Sequence, residues 1–286
     1  MSSILTNSSA LTALQNLNNT QRNLSKTQNE ISTGLKVATA ADNSTNWSVS
    51  TKMKAENSVV GTIKDKLKEN SALVKTATAA LQQVTETLTS MKEQATQAAD
   101  VDGTSGYTEV NKALAGLGKT LSGLINGANF NGVNLLNNAT APINIVTGYT
   151  AAVTNTATPA VTTAGSFSTV AITPKNLVTD LASSITPATV NSKATAETLS
   201  SELDLALDIV RTFGADLGAV QNQIDAQSKF LDALSNSLTN GISSMVDADM
   251  NEASTRLQAL QTQQQLGVQS LSIANQNSQM ILKLFQ

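Results

Sequence analysis

The chain contains neither cysteine nor histidine, and these two absences exclude more chemistry than any motif suggests. Thiol nucleophiles, Ser-His-Asp triads, zinc fingers and the usual catalytic zinc sites each lack a required side chain. Disulfides cannot staple the fold. A cysteine-free composition suits the cytosol, the cell exterior or a chain that crosses between them. Aromatic residues make up 3% of the 286 residues, with Trp47 the single tryptophan. The core must therefore be built from Leu, Val, Ile and Ala, as in helical bundles rather than β-sandwiches or ligand pockets. Charged residues are 14% of the chain, the net charge is -3 and no basic tract is present. Electrostatics thus gives no reason to expect nucleic acid or an anionic membrane as partner. No apolar run reaches the roughly 18 residues needed to span a bilayer. Residues 2–7 lack both a basic segment and an apolar core. If the protein leaves the cell, the expected route is one that reads no cleaved signal peptide.

Proline is absent from both ends, because all four prolines fall at positions 142, 159, 174 and 187. The ends are instead amphipathic. From Val246 a heptad runs through Ala253, Leu260, Gly267, Ala274 and Ile281, with Met250, Leu257, Gln264, Leu271, Ser278 and Phe285 on the companion row. This is a coiled-coil seam reaching the end of the chain. Ala10, Leu17, Leu24 and Ile31 repeat the seven-residue spacing at the N-terminal end, with Leu14 and Leu35 on a companion row that Gln21 and Gln28 interrupt. A lone amphipathic helix has nowhere to bury its stripe. The two ends must pair with each other or with copies of the same molecule. Ala253, Gly267, Ala274 and Ser278 would let helix axes approach closely, and no charged residue lies between Leu257 and Leu282. Many copies can then pack without like-charge repulsion.

The first helix is expected over residues 2–33, ending at Gly34 as a C-cap, with a polar connector at 35–46 and Asp42 or Asn43 capping the next helix. Residues 47–99 form one continuous stripe: Met53, Val60, Leu67, Val74, Leu81, Leu88 and Ala95 are spaced by sevens, beside a mostly apolar row of Val49, Glu56, Ile63, Asn70, Ala77, Val84 and Met91. A third helix is expected over 107–125, then turns and a short hairpin around Asn- and Gly-rich 126–138. Residues 139–194 lose the helical period. Their β-branched runs at 143–146 and 167–172 predict a small exposed β-rich module, a disordered insert being the plainer reading. Helical pattern returns over 195–238 from Leu199 to Leu238, with Asn240-Gly241 as the expected hinge before the last helix. The fold class is mainly α, a long helical hairpin or bundle with coiled-coil terminal helices and a small central β-rich insert. Its expected divisions are 1–45, 46–138, 139–194, 195–240 and 241–286.

Two segments invite an enzymatic reading. Asp247, Asp249 and Glu252 could serve as paired carboxylates, against the plainer reading of an acidic first turn favoured by the helix dipole. Residues 116–120, Gly-Leu-Gly-Lys-Thr, imitate a phosphate loop but lack the first glycine of that motif and sit in a helical stripe. No catalytic residue, metal or cofactor is expected.

Several ordered motifs together resemble bacterial flagellin. Ile4-Leu5-Thr6-Asn7 with Ile31-Ser32-Thr33-Gly34-Leu35-Lys36 is similar to the family's N-terminal helix and its end. Ala41-Asp42-Asn43 is similar to the acidic start of the following segment, and 129–136, Asn-Phe-Asn-Gly-Val-Asn-Leu-Leu, resembles the family's hairpin. Leu217-Gly218-Ala219-Val220-Gln221-Asn222 and Ala274-Asn275-Gln276 match at the other end. The match covers roughly the first 138 and the last 90 residues.

The resemblance implies a non-enzymatic subunit of the extracellular flagellar filament. Its terminal helices would form the inner tube, the rod helices the outer tube, and the insert would face solvent. It implies export in an unfolded state through the flagellar type III apparatus with a chaperone, and contact with the filament cap and hook-filament junction proteins. Termini so poor in charge would be disordered in monomers and ordered on assembly. A junction protein shares such terminal helices but is usually larger, and an enzyme on a helical scaffold is the third class of reading. Leu17, Leu24, Ile31, Leu260, Leu271, Ile281 and Phe285 are the expected polymerisation seam. Lys36 stands where the family usually has Arg. Ser90 and Gln94 stand where flagellins sensed by the animal innate-immune receptor typically carry Arg and Leu, which implies poor recognition by that receptor.

Overall fold

Asn7 starts the first helix by accepting a hydrogen bond from the Ala10 amide at 3.1 Å, which satisfies one of the amides every helix start leaves unpaired. The computed structural model describes residues 7–100, 104–137, 142–150, 153–155, 161–163, 165–184 and 189–284. The chain is mainly α, with α1 at Ser8–Thr33, α2 at Ser44–Ala98, α3 at Thr104–Gly127, α4 at Leu177–Ser184, α5 at Lys193–Val246 and α6 at Met250–Leu284. Gly34 ends α1 in the left-handed conformation (φ 72°), its amide reaching the Glu30 carbonyl. The expected glycine cap is thus present. Of the two candidates for the next start, Asn43 caps α2 by accepting from the Asn46 amide at 3.0 Å. Asp42 holds the connector turn instead, accepting from both the amide and the hydroxyl of Thr39 at 3.0 Å. Those bonds hold its carboxyl below the ordinary value.

Contacts divide the chain into two units, Met1–Asn57 with Asn236–Gln286, and Ser58–Ser235. In the second unit α2 and α5 lie antiparallel, as the pairs Lys64–Asp232, Ser71–Gln221 and Lys92–Asp204 require. The seven-residue row of α2 is the buried one: Val60, Leu67, Val74, Leu81, Leu88 and Ala95 are all 6% exposed or less. Leu203, Leu207, Val210, Phe213, Leu217, Ile224 and Leu231 face them from α5, and Val110, Leu114, Leu121 and Ile125 from α3. Each buried Val, Leu, Ile or Phe among them contributes roughly 1.5–3 kcal/mol of transfer free energy. The threonines in these helices satisfy their hydroxyls by returning them to the carbonyl one turn back, as Thr76, Thr78, Thr85 and Thr87 do.

The expected hairpin is present: β1 (Asn129–Phe130) pairs antiparallel with β2 (Val133–Asn134). Its two-residue turn places Asn131 and Gly132 at φ 52° and 84°, the left-handed pair such hairpins need. The expected β-rich runs pair as well, β3 (Ile143–Thr150) antiparallel with β6 (Ser166–Ile172), with an irregularity between Val146 and Gly148. Between them β4 (Val153–Asn155) pairs with β5 (Val161–Thr163). This region is not free of helix, however. Asn176 accepts from the Thr179 amide and opens α4, which buries Leu177 and Leu181. Ile145 and Ile172 are 1% exposed, so the strands also supply core to the second unit.

One expected break is corrected. Residues 240 and 241 do not hinge, since α5 continues through them to Val246. Gly241 lies against Met53 within the helix, where an added Cβ would stand 3.5 Å from the Met53 Cε, an ordinary contact distance. The helix instead stops where Asp249 takes over, accepting from the amides of Asn251 and Glu252 to start α6.

Candidate assembly surface

Within the first unit α1 and α6 lie side by side and antiparallel. The Asn7 side chain donates to the Ala274 carbonyl at 2.9 Å, and Gln264 donates to Gln21 at 2.8 Å. At the other end Arg256, itself paired with Glu252, stands 3.9 Å from the Glu30 carboxylate. Glu30 is 9% exposed, and a carboxylate so placed needs a cation or donors nearby. The turn from α1 is tied to the start of α6 by backbone bonds from Lys36 and Val37 to Val246 and from Ala248 to Gly34.

The α6 seam expected from the heptad faces α1. Ala253 and Leu260 are buried, and Leu257, Gln264, Gly267, Leu271 and Ala274 are half-buried, while the positions between them are exposed. On α1 the first row is also as expected, with Ala10 and Leu17 half-buried, Leu24 buried and Ile31 half-buried. The companion row is not. Ala13, Thr20 and Thr27 turn inward, whereas Leu14 is 44% exposed. The cause is close packing: a Cβ on Gly267 would come within 3.2 Å of the Leu17 Cδ1, and a seam this tight accepts small residues beside Leu17 rather than a second leucine row. Gly267→Leu is therefore expected to overpack the pair and cost about 1–3 kcal/mol, read as a lower denaturation midpoint of assembled filaments. Met250, placed on the α6 companion row, is 43% exposed. Ile281 and Phe285 lie outside the residues whose side chains the structure describes.

Several apolar side chains point away from this pair. Leu11, Leu14, Leu266, Val268 and Ile273 are between 44% and 63% exposed. Apart from Leu14, which the heptad placed on the companion row, they escape a heptad reading because they sit off both rows among Gln, Asn, Ser and Thr. Exposed apolar residues in such number on an uncharged surface mark an interaction face.

The enzymatic candidates dissolve on placement. Asp249 caps α6 and Glu252 pairs with Arg256. Residues 116–120 lie inside α3, where helical amides are already bonded and cannot cradle a phosphate. A cleft of about 590 Å³ is lined by Lys26, Glu30, Lys36, Asp42, Asp247 and Arg256 among others, with both signs of charge interleaved. Among the described residues no cluster of acidic side chains is suited to a metal, and no helix is long and apolar enough to cross a membrane. Ser90 and Gln94 lie half-buried on α2, one turn apart and flanking Lys92.

The bacterial flagellin N-terminal helical region matches residues 4–141, and the bacterial flagellin C-terminal helical region matches residues 201–285. A flagellin of Brucella melitensis is 39% identical over 289 aligned residues, covering all of both chains. Flagellin FljM of Caulobacter vibrioides is 34% identical over all of this chain and 99% of its own length. Flagellin C of Rhizobium meliloti is 33% identical over all of both chains. The chain belongs to the bacterial flagellin family. It is a structural subunit of the extracellular flagellar filament and not an enzyme, and flagellins assemble with copies of themselves. The paired terminal helices and their uncharged outward face are the features of this flagellin suited to that packing.

Proposed function

We propose that the α1–α6 pair is the inner-layer element of the filament, and that its two faces divide the labour. Leu17, Leu24, Ile31, Leu260 and Leu271 act as the seam that holds the two helices together, and Ile281 and Phe285 belong to the same polymerisation seam by their heptad spacing. The outward stripe of Leu11, Leu14, Leu266, Val268 and Ile273 meets neighbouring copies. The observation that carries this reading is that stripe, exposed on helices that bear no charge from residue 8 to 21 and from 258 to 281. In a helical array the same patches recur against different patches of the next copy, which generates a filament instead of a closed ring. Residues 1–45 and 241–286 then form the inner part, 46–138 and 195–240 the outer part, and 139–194 the solvent-facing insert.

The same reading includes export in an unfolded state through the flagellar type III apparatus, with a chaperone, and assembly between the hook-filament junction proteins and the filament cap. A chain without cysteine passes through such a route without cross-linking. The test is seeded assembly: purified monomer is added to sheared filament fragments and followed by sedimentation and electron microscopy, beside a chain ending at Thr239. The full chain is expected to give long filaments and the shortened chain none. Filaments from both would remove the terminal pair from the mechanism.

Ser90 and Gln94 bear on recognition by the animal innate-immune receptor. Serine lacks the five-donor fork of arginine, and glutamine replaces an apolar anchor with an amide that must stay hydrated. In a receptor reporter assay this flagellin is expected to be at least about tenfold less potent than the Ser90→Arg, Gln94→Leu variant. Equal potency would show that the two positions do not govern recognition.

A further inference from the structure

Phe230, on α5, is 58% exposed although aromatic residues are only 3% of the chain. Its setting is smooth. The residues three and four positions away on the helix are Ala226, Gln227, Ala233 and Leu234, so no charge stands on the adjoining turns and two of the four flanking side chains are single methyl groups. Leu205, also exposed on α5, differs in having Glu202 and Asp208 at three positions either side. Phe167, 60% exposed, differs in having a ring partner in Tyr149, with centroids 5.2 Å apart.

The same unit carries an apolar groove of about 200 Å³ between α2, α3 and α4, lined by Met91, Gly118, Leu121, Ile125, Val178 and Leu181 among others, with no charged residue in its wall. A Cβ added at Gly118 would meet nothing within 4 Å, so the glycine leaves open space that one large side chain can enter. Along α2 the two features are far apart. Phe230 lies two residues from Asp232, which pairs with Lys64, whereas Met91 adjoins Lys92, which pairs with Asp204. At 1.5 Å per residue this separates knob and groove by about 40 Å. A copy cannot fill its own groove, but a parallel copy displaced along the helix axis can.

We propose that Phe230 of one copy seats in the Met91–Leu121–Leu181 groove of a second copy. The contact is heterologous, because the knob and its socket are different patches, and it repeats from copy to copy without closing. A single aromatic anchor in a desolvated pocket is the arrangement that concentrates interface energy. This contact rests on the filament-subunit function and specifies one of its joints.

Because the chain has no cysteine, the variant A233C/S122C, with one thiol a turn from Phe230 and the other on the groove rim, keeps knob and socket intact and carries the only two thiols available to a short thiol-specific cross-linker. Filaments of this variant, verified by electron microscopy, are expected to yield a ladder of covalent multimers on a denaturing gel, and filaments of either single variant none. Filaments without the ladder would overturn the contact while leaving the subunit function standing. Failure of the unsubstituted chain to extend seeds would instead count against that function. Phe230→Ala, and Gly118→Leu which plugs the groove, are each expected to raise the critical concentration on the order of tenfold. Combined, they should do little more than either alone, with the circular-dichroism melt of the monomer unchanged. Additive effects, or no effect, would overturn the proposal.

Discussion

Leu260→Asp is expected to abolish filament formation. Leu260 is 8% exposed on the α1-facing row of α6, beside Leu24 and Thr27 at the better-buried end of the pair. A carboxylate there has the neighbouring Glu30 as a like charge, while Arg256, one turn back, is already shared between Glu30 and Glu252. Placing an unpaired charge in that environment costs at least about 3 kcal/mol, enough to raise the critical concentration more than about a hundredfold. Leu271→Asp acts at a half-buried step of the same row and is expected to prevent filaments as well, with a smaller loss in the pair itself. Both variants should keep the helical signal of the second unit, because none of its core residues is touched. Seeded sedimentation together with circular dichroism reads both quantities. Normal filaments from Leu260→Asp would remove the seam assignment, and collapse of the whole helical signal would show that the two units do not fold independently.

Phe213→Ala is expected to destabilise the second unit by about 3–5 kcal/mol. This phenylalanine is 3% exposed on α5, and the core around it is built almost wholly of aliphatic side chains that cannot swell to refill the space. For a unit of this size such a loss corresponds to a fall in melting temperature of about 10 °C, measured by differential scanning calorimetry on the monomer. Assembly should survive at low temperature, since the α1–α6 pair and its outward stripe are unchanged. A shift of less than about 3 °C would mean that the site collapses around the missing ring.

Much of this was legible in the chain. Gly34 and Asn43 announced the end of α1 and the start of α2, because a left-handed cap and an accepting side chain are local requirements that few residues meet. The α2 row from Val60 to Ala95 and the α6 row from Ala253 to Ala274 were readable because a single buried face repeats at a fixed spacing whatever it packs on. The turn at Asn131-Gly132 was readable for the same local reason.

Other features depended on partners distant in sequence. Asn240-Gly241 reads as a break by propensity, yet α5 continues through it to Val246, with Met53 of α2 packed beside the glycine. In residues 139–194, α4 is only eight residues long between two prolines, too short to show a period, and Leu177 and Leu181 acquire meaning only from the core they enter. On α1 the heptad leaves two neighbouring rows available. Counting hydrophobic residues selects Leu14, whereas the approach of Gly267 to Leu17 goes with Ala13, Thr20 and Thr27 turned inward.

The sequence by itself determined that this protein is a helical, cysteine-free, sparsely charged chain with terminal stripes that demand helical partners, since composition and periodicity act locally. Only the tertiary structure decided that these stripes pair within one chain, that Leu11, Leu14, Leu266, Val268 and Ile273 remain outside, and that Phe230 and the groove at Gly118 stand apart on one unit. Which side of a helix is left over depends on how closely its partner can approach, and that distance is set by side chains hundreds of residues away.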